Sequence, residues 1–160
     1  MRPIDRLSRI YLQHGARYSV TFHARLDVID ASDVLVYVET PLTTSSRPSA
    51  RTNFVAHTGL LRVLKVTLEV GPDRQTAVTL LGHELQHVAE VVDAPAVVDA
   101  SSYGRLFRAI GFRSPCPGLL RACFETPAAE RAGAGAARSG SPRAPRRRDR
   151  RPRAMISTEL

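Results

Sequence analysis

At 160 residues the chain is long enough for one domain with its own hydrophobic core and too short for two of ordinary size. Its net charge of +8 suggests a nucleic-acid binder until the charge is located: nine of the 23 basic residues and only two of the 15 acidic ones lie from Arg131 onward, leaving the remainder at +1. The basicity therefore belongs to a tail and not to a folded surface. Lys65 is the only lysine, so the arginine preference reflects base composition rather than phosphate recognition. Two cysteines, Cys116 and Cys123, exclude a disulfide scaffold and a four-cysteine zinc site, and free thiols are expected. The N-terminus holds no apolar h-region, and no stretch reaches membrane-spanning length. As it stands the chain reads as cytoplasmic, without a membrane association; export stays open if the true start lies upstream.

In chain order, Ile4, Leu7, Ile10 and Tyr11 recur at helical spacing, which predicts a short amphipathic helix ending at Gly15. Ser19 is a good N-cap for a second helix carrying Phe22, Leu26 and Ile29 on one face, and His23 beside that face is expected to be structural. Val34 to Val38 is a continuous β-branched and aromatic run, predicting a central strand covered on both faces. Pro41 to Arg51 reads as a polar surface loop. Strands are then expected from Thr52 to His57 and from Arg62 to Val70, paired as a hairpin. The second of these alternates, with Leu64, Val66, Leu68 and Val70 on one side and Val63, Lys65, Thr67 and Glu69 on the other.

Asp73 caps the next element, and the apolar period shifts from 2 to 3.6 over Arg74 to Val92, a helix that Pro95 bounds. Beyond it, Ser101 or Ser102 can cap a helix with the stripe Tyr103, Leu106, Phe107 and Ile110, where Tyr103 is expected to pack in the core rather than donate to an oxyanion. Phe112 to Phe124 reads as loop, and Thr126-Pro127 as an N-cap with a first-turn proline. The fold class is therefore α+β: about three strands, antiparallel or mixed, packed against the long helix and further helices. The domain is assigned to residues 1–130, with residues 131–160 a disordered tail rich in Arg, Pro, Ala and Gly.

The chemistry lies in His83-Glu84-Leu85-Gln86-His87 on the long helix. Side chains four residues apart share a helix face, so two imidazoles can grip one ion, and Glu84 projects beside it where a carboxylate can take a proton from an activated water. Val78, Leu81, Leu85, Val88 and Val92 gather on one side of this helix, while His83, His87 and Glu90 fall on nearly the opposite side. A solvated face is usually filled with Lys, Arg and Glu, which favours metal binding over a merely wet face.

With these residues the chain resembles the zincin metallopeptidases, whose minimal unit is a twisted sheet with an edge strand for substrate followed by a helix bearing HExxH. The resemblance covers Val34 to Val92 in element order and His83, Glu84 and His87 residue by residue. Gly82-His83-Glu84-Leu85-Gln86-His87 is also similar to the motif of small bacterial zincin-like proteins. No histidine follows His87, so the metzincin subclass is excluded. A gluzincin-like reading implies one Zn²⁺ held by His83, His87 and a glutamate on a later helix, with Glu84 as general base. Glu125 is the first choice for that glutamate; Asp93 and Asp99 remain open. Glu90 lies about 10 Å along the axis from His83, too far to converge on the same ion, and is assigned a hydrogen bond to His87 behind the metal. The implied function is zinc-dependent peptide hydrolysis, with a peptide or protein substrate paired along the sheet edge. The alternatives are a zinc-binding protein on the same fold without catalysis, and polyanion or nucleic-acid binding through the arginine tail. For the latter, no interleaved aromatic residue supports base stacking.

Overall fold

The computed structural model describes residues 1–42, 48–71, 73–115 and 123–139, with side chains described up to residue 133. Its elements in order are β1 (Arg2–Pro3), α1 (Arg6–Tyr18), α2 (Val20–Asp30), β2 (Val34–Glu39), β3 (Ser49–His57), β4 (Arg62–Glu69), α3 (Arg74–Val92), α4 (Ala100–Ile110), β5 (Phe112–Ser114), β6 (Cys123–Glu125) and α5 (Pro127–Ser139). The class is α+β, with five helices, a four-stranded mixed sheet and a two-stranded sheet among the described residues. In the larger sheet the order is β1-β2-β4-β3; β2 runs parallel to β1 and β4, and β3 closes one edge as the antiparallel hairpin partner of β4.

Alternation on the strands decides which sheet face is covered. Val34, Val36 and Val38 of β2 and Leu64, Val66 and Leu68 of β4 are buried, in one cluster with Val78, Leu81, Leu85, Val88 and Val91 of α3 and with Tyr11, Leu12, Phe22 and Ile29 of α1 and α2. The opposite face is open at Tyr37, which corrects the expectation that β2 is covered on both sides. A continuous apolar run fits two covered faces, but here the helices supply apolar cover to only one.

Helix α1 also differs from expectation, running through Gly15 to Tyr18. Gly15 is there for a close approach: a Cβ on it would lie 2.6 Å from the Phe22 ring of α2. The helix ends where Ser19 leaves helical geometry and caps α2, accepting from the Phe22 N–H. The segment read as loop from Phe112 has strand at both ends, β5 pairing antiparallel with β6 through Phe112–Glu125, Arg113–Phe124 and Ser114–Cys123. This pairing draws the ends of the segment together. Cys123 is disulfide-bonded, which corrects the expectation of free thiols; Cys116 lies outside the described residues.

The tail expected from residue 131 begins as helix. Helix α5 continues to Ser139, nine residues past Glu130, and Ala129 and Ala132 are buried. Composition had argued against structure there because small residues bury little area each; the backbone of α5 can, however, lie close against α3, where small residues are what fits. Residues 140–160, which hold most of the arginine-rich segment, lie outside the described residues.

One buried cation ties the sheet to the end of the long helix. Arg62, only 2% exposed at the start of β4, donates from Nε and Nη2 to the Asp33 carboxylate at 2.8 and 2.6 Å, and from Nη1 to the carbonyls of Val91 and Ala94 at 2.6 and 2.9 Å. It thereby adds a second donor to two carbonyls at and just past the end of α3 that also accept from the Ala94 and Val97 N–H groups. Replacing Arg62 with Leu is expected to lower stability by about 2–3 kcal/mol in urea denaturation, since several charge-assisted bonds go at once. The Asp33 carboxyl is held below its ordinary value, chiefly by the hydrogen bonds from Arg62. Its contribution to stability is present above the ordinary carboxylate range and lost as pH falls through the lowered value. An Asp33→Asn chain should lack that part of the acid dependence.

Candidate metal centre

Helix α3 is positioned by its ends and by its core face. Asp73 accepts from the N–H groups of Gln75 and Thr76 at 3.2 and 3.0 Å, and Asp93 closes the other end before Pro95. Leu81, Leu85 and Val88 point into the core, which turns His83, Glu84 and His87 away from it. That second side is covered too: Glu84 is 5% exposed and His87 6%. The cover comes from β3, α4, β6 and α5. Phe107 of α4 meets the His87 imidazole edge-on, with ring centroids 5.1 Å apart.

Glu125 reaches the site from β6, two residues before α5 begins, and not from within a later helix. Gly111, at the end of α4, makes room for this strand. A Cβ on Gly111 would sit 2.6 Å from the Glu125 carbonyl oxygen. The Glu125 carboxylate then meets both imidazoles: its Oε2 lies 2.8 Å from His83 Nε2 and 3.3 Å from His87 Nε2. Across the other ring nitrogen, His87 Nδ1 lies 3.0 Å from Glu90 Oε2, and the Thr126 hydroxyl donates to Glu90 Oε1 at 2.6 Å.

The donor set suits a small divalent ion. One atom each from His83, His87 and Glu125 lie within 4.8 Å of one another. Ligands about 2.0–2.1 Å from a tetrahedral zinc stand roughly 3.4 Å apart; the His87–Glu125 separation of 3.3 Å is near that edge, whereas the 2.8 Å between His83 and Glu125 is a hydrogen-bond distance. Two nitrogens and one carboxylate oxygen are also the ligand types that zinc accepts when a fourth position is kept open.

Electrostatics of the cluster follow from burial and pairing. Burial alone would depress the His87 imidazole, but hydrogen bonds to Glu125 and Glu90 prevail and push it up to about 9. Burial would raise Glu125, yet its bonds with His83 and His87 bring it down to about 2. Glu84 goes up, because burial outweighs the hydrogen bond it accepts from the Thr52 hydroxyl at 2.6 Å. Burial, with Glu84 and Glu90 nearby, also raises the Tyr103 phenol, whose hydroxyl donates to the Thr52 carbonyl at 2.8 Å.

The five sequence-selected residues, His83, Glu84, His87, Glu90 and Glu125, thus lie in one cluster. Other candidates lie elsewhere: Asp93 and Asp99 cap α3 and α4, and the side chain of His23 is 61% exposed. Tyr103 packs against Phe107 and Phe54 while holding β3 through its hydroxyl. Sequence reasoning passed over Thr52 and the second role of Thr126. Thr52 carried a usable signal, since it pairs with Val66 and so places a hydroxyl on the core-facing side of a strand. Compared with protein-family models, with curated proteins and with solved structures, the chain matches nothing.

A pH window follows for the chain held free of metal by a chelator. The raised His87 makes its ion pairs fully effective below its ordinary value of 6.5, and they are lost as pH rises through about 9. Seen from the lowered Glu125, the same contacts are present above 4.5 and lost as pH falls through about 2. The cluster should therefore stabilise the fold most between about 4.5 and 6.5. In thermal melts against pH, a His87→Gln chain should lose the alkaline decline.

Proposed function

We propose that the chain is a zinc-dependent, metallopeptidase-like hydrolase of zincin-like architecture. The observation that carries this reading is the convergence of His83, His87 and Glu125 within 4.8 Å, with the Glu84 carboxylate on the same helix. Bound zinc would act as a Lewis acid, polarising a carbonyl and lowering the pKa of water. The residues of the chain supply the rest. Glu90 holds Nδ1 of His87, which leaves Nε2 facing Glu125 and the shared centre. Glu84 takes a proton from the attacking water as the new C–O bond forms, and returns it to the amide nitrogen as the C–N bond breaks. Burial raises its proton affinity, which suits a group that must hold a proton between those two steps.

An extended peptide would pair along the edge of β3, beyond the Thr52 carbonyl that Tyr103 already holds. This strand ends the sheet order among the described residues, and Thr52 links it to Glu84. The same contact favours a second reading, a zinc-binding protein that does not hydrolyse. In that case the Thr52 hydroxyl on Glu84 and the 5% exposure of this carboxylate mark a structural acid. Binding of polyanions or nucleic acid through the arginine tail draws no support from the described residues.

Metal analysis of purified chain should find one zinc per molecule, lost in the His83→Ala, His87→Ala double variant and in Glu125→Ala. No uptake at saturating zinc would end both metal readings. A peptide-library screen then separates them. Glu84→Gln should keep the metal and lose about 10²–10⁴ in turnover if the chain is a peptidase. Zinc uptake without any turnover in the unsubstituted chain would select the second reading.

A further inference from the structure

Thr126 is 1% exposed, and its hydroxyl is used in both directions. It accepts from the Ala129 N–H at 3.1 Å, as the N-cap of α5, and donates to Glu90 Oε1 at 2.6 Å. The cap turns the hydroxyl lone pairs toward the helix and directs its proton at Glu90. The other oxygen of that carboxylate lies on His87 Nδ1 at 3.0 Å. One rigid, buried group therefore joins the metal-facing helix to the first residue of the turn that opens α5. Thr126 directly follows Glu125, so displacing the start of α5 moves the carboxylate that faces both imidazoles.

The other histidine lies beside the same helix. Gly133, one and a half turns into α5, places its missing Cβ 3.5 Å from His83 Cβ and 3.7 Å from His83 Nδ1. Helix α5 thus lies against the flank of His83 while its N-cap holds His87 through Glu90. The His87 imidazole is thus tied to the start of α5 through Glu90 and Thr126.

We propose that Thr126 is a positioning residue for the metal centre, and that seating of α5 and occupancy of the His83, His87 and Glu125 site are coupled through the Glu90 carboxylate. This rests on the metal reading above. Coupling between two binding events is reciprocal: a seated α5 presets the ligands, and a bound ion holds α5 in place. Helix α5 then reports whether the site is loaded.

The test uses the full chain with Zn²⁺ and with Co²⁺ as a spectroscopic probe. Thr126→Asp keeps an acceptor for the helix cap but removes the donor to Glu90 and sets a like charge beside it. Thr126→Ser keeps both functions. In competition with a chromophoric chelator, Thr126→Asp should bind Zn²⁺ about 10–100-fold more weakly, and Thr126→Ser should recover the original affinity. The Co²⁺ d–d spectrum should change in the Asp variant and be restored in the Ser variant, which a loss of general stability would not produce. In the unsubstituted chain, Zn²⁺ should slow amide hydrogen exchange over residues 128–133, a measurement that needs no variant to fold. Unchanged exchange on zinc uptake, or a folded Thr126→Asp chain with the original affinity and spectrum, would overturn the coupling while leaving the metal centre intact. Absence of zinc uptake by the unsubstituted chain would remove the metal reading and the coupling with it.

Discussion

Helix α3 is buried on two sides, and that constraint shapes the rest of the molecule. Its Leu and Val side meets the sheet, while Glu84 and His87 on the other side are almost as inaccessible as the core. Buried polar groups must find partners, because each one left without a hydrogen bond costs on the order of 1–3 kcal/mol. The partners come from sequence-distant elements: Thr52 of β3 for Glu84, Glu125 of β6 for both imidazoles, and Thr126 at the head of α5 for Glu90. The elements beyond α3 in the chain are thus attached to it through polar atoms as well as through packing.

The same network sets the chemistry. A carboxylate brought well below its ordinary range beside an imidazole pushed well above it is an ion pair with the proton on the imidazole. His83, His87 and Glu125 could also hold a metal ion, which would take the same lone pairs in place of that proton. Glu84 differs from these groups because it accepts from a hydroxyl and not from a cation, and burial leaves it with a raised proton affinity. Two kinds of carboxylate therefore lie side by side: Glu125, ionised and suited to hold an ion, and Glu84, suited to carry a proton.

Legibility in the sequence followed the range of the interactions. Helix α3 and its cap were readable because Asp73, the apolar period and Pro95 are local signals, and β4 because its alternation is clean. Ser19 and Thr126 were readable as caps for the same reason. Gly15 misled, since a glycine that admits a neighbouring ring looks the same in sequence as one that ends a helix. Cys123 and the strand ends of the β5–β6 hairpin depended on pairing across a segment without local periodicity. The small residues of α5 resembled a tail because their contribution is to permit close packing, not to bury large side chains themselves.

By itself the sequence determined the helix that carries His83, Glu84 and His87 and the face on which they lie, since 3.6 residues per turn fixes which side chains share a side. It also placed Glu90 on the histidine face, while Glu125 was singled out through the gluzincin resemblance. Only the tertiary structure decided that Glu125 reaches both imidazoles from a strand, that Gly111 makes room for that strand, and that Thr52 and Thr126 complete the hydrogen bonding. The reason is physical: helical periodicity is set by the backbone within a few residues, whereas a three-residue polar centre depends on how separate elements pack in space.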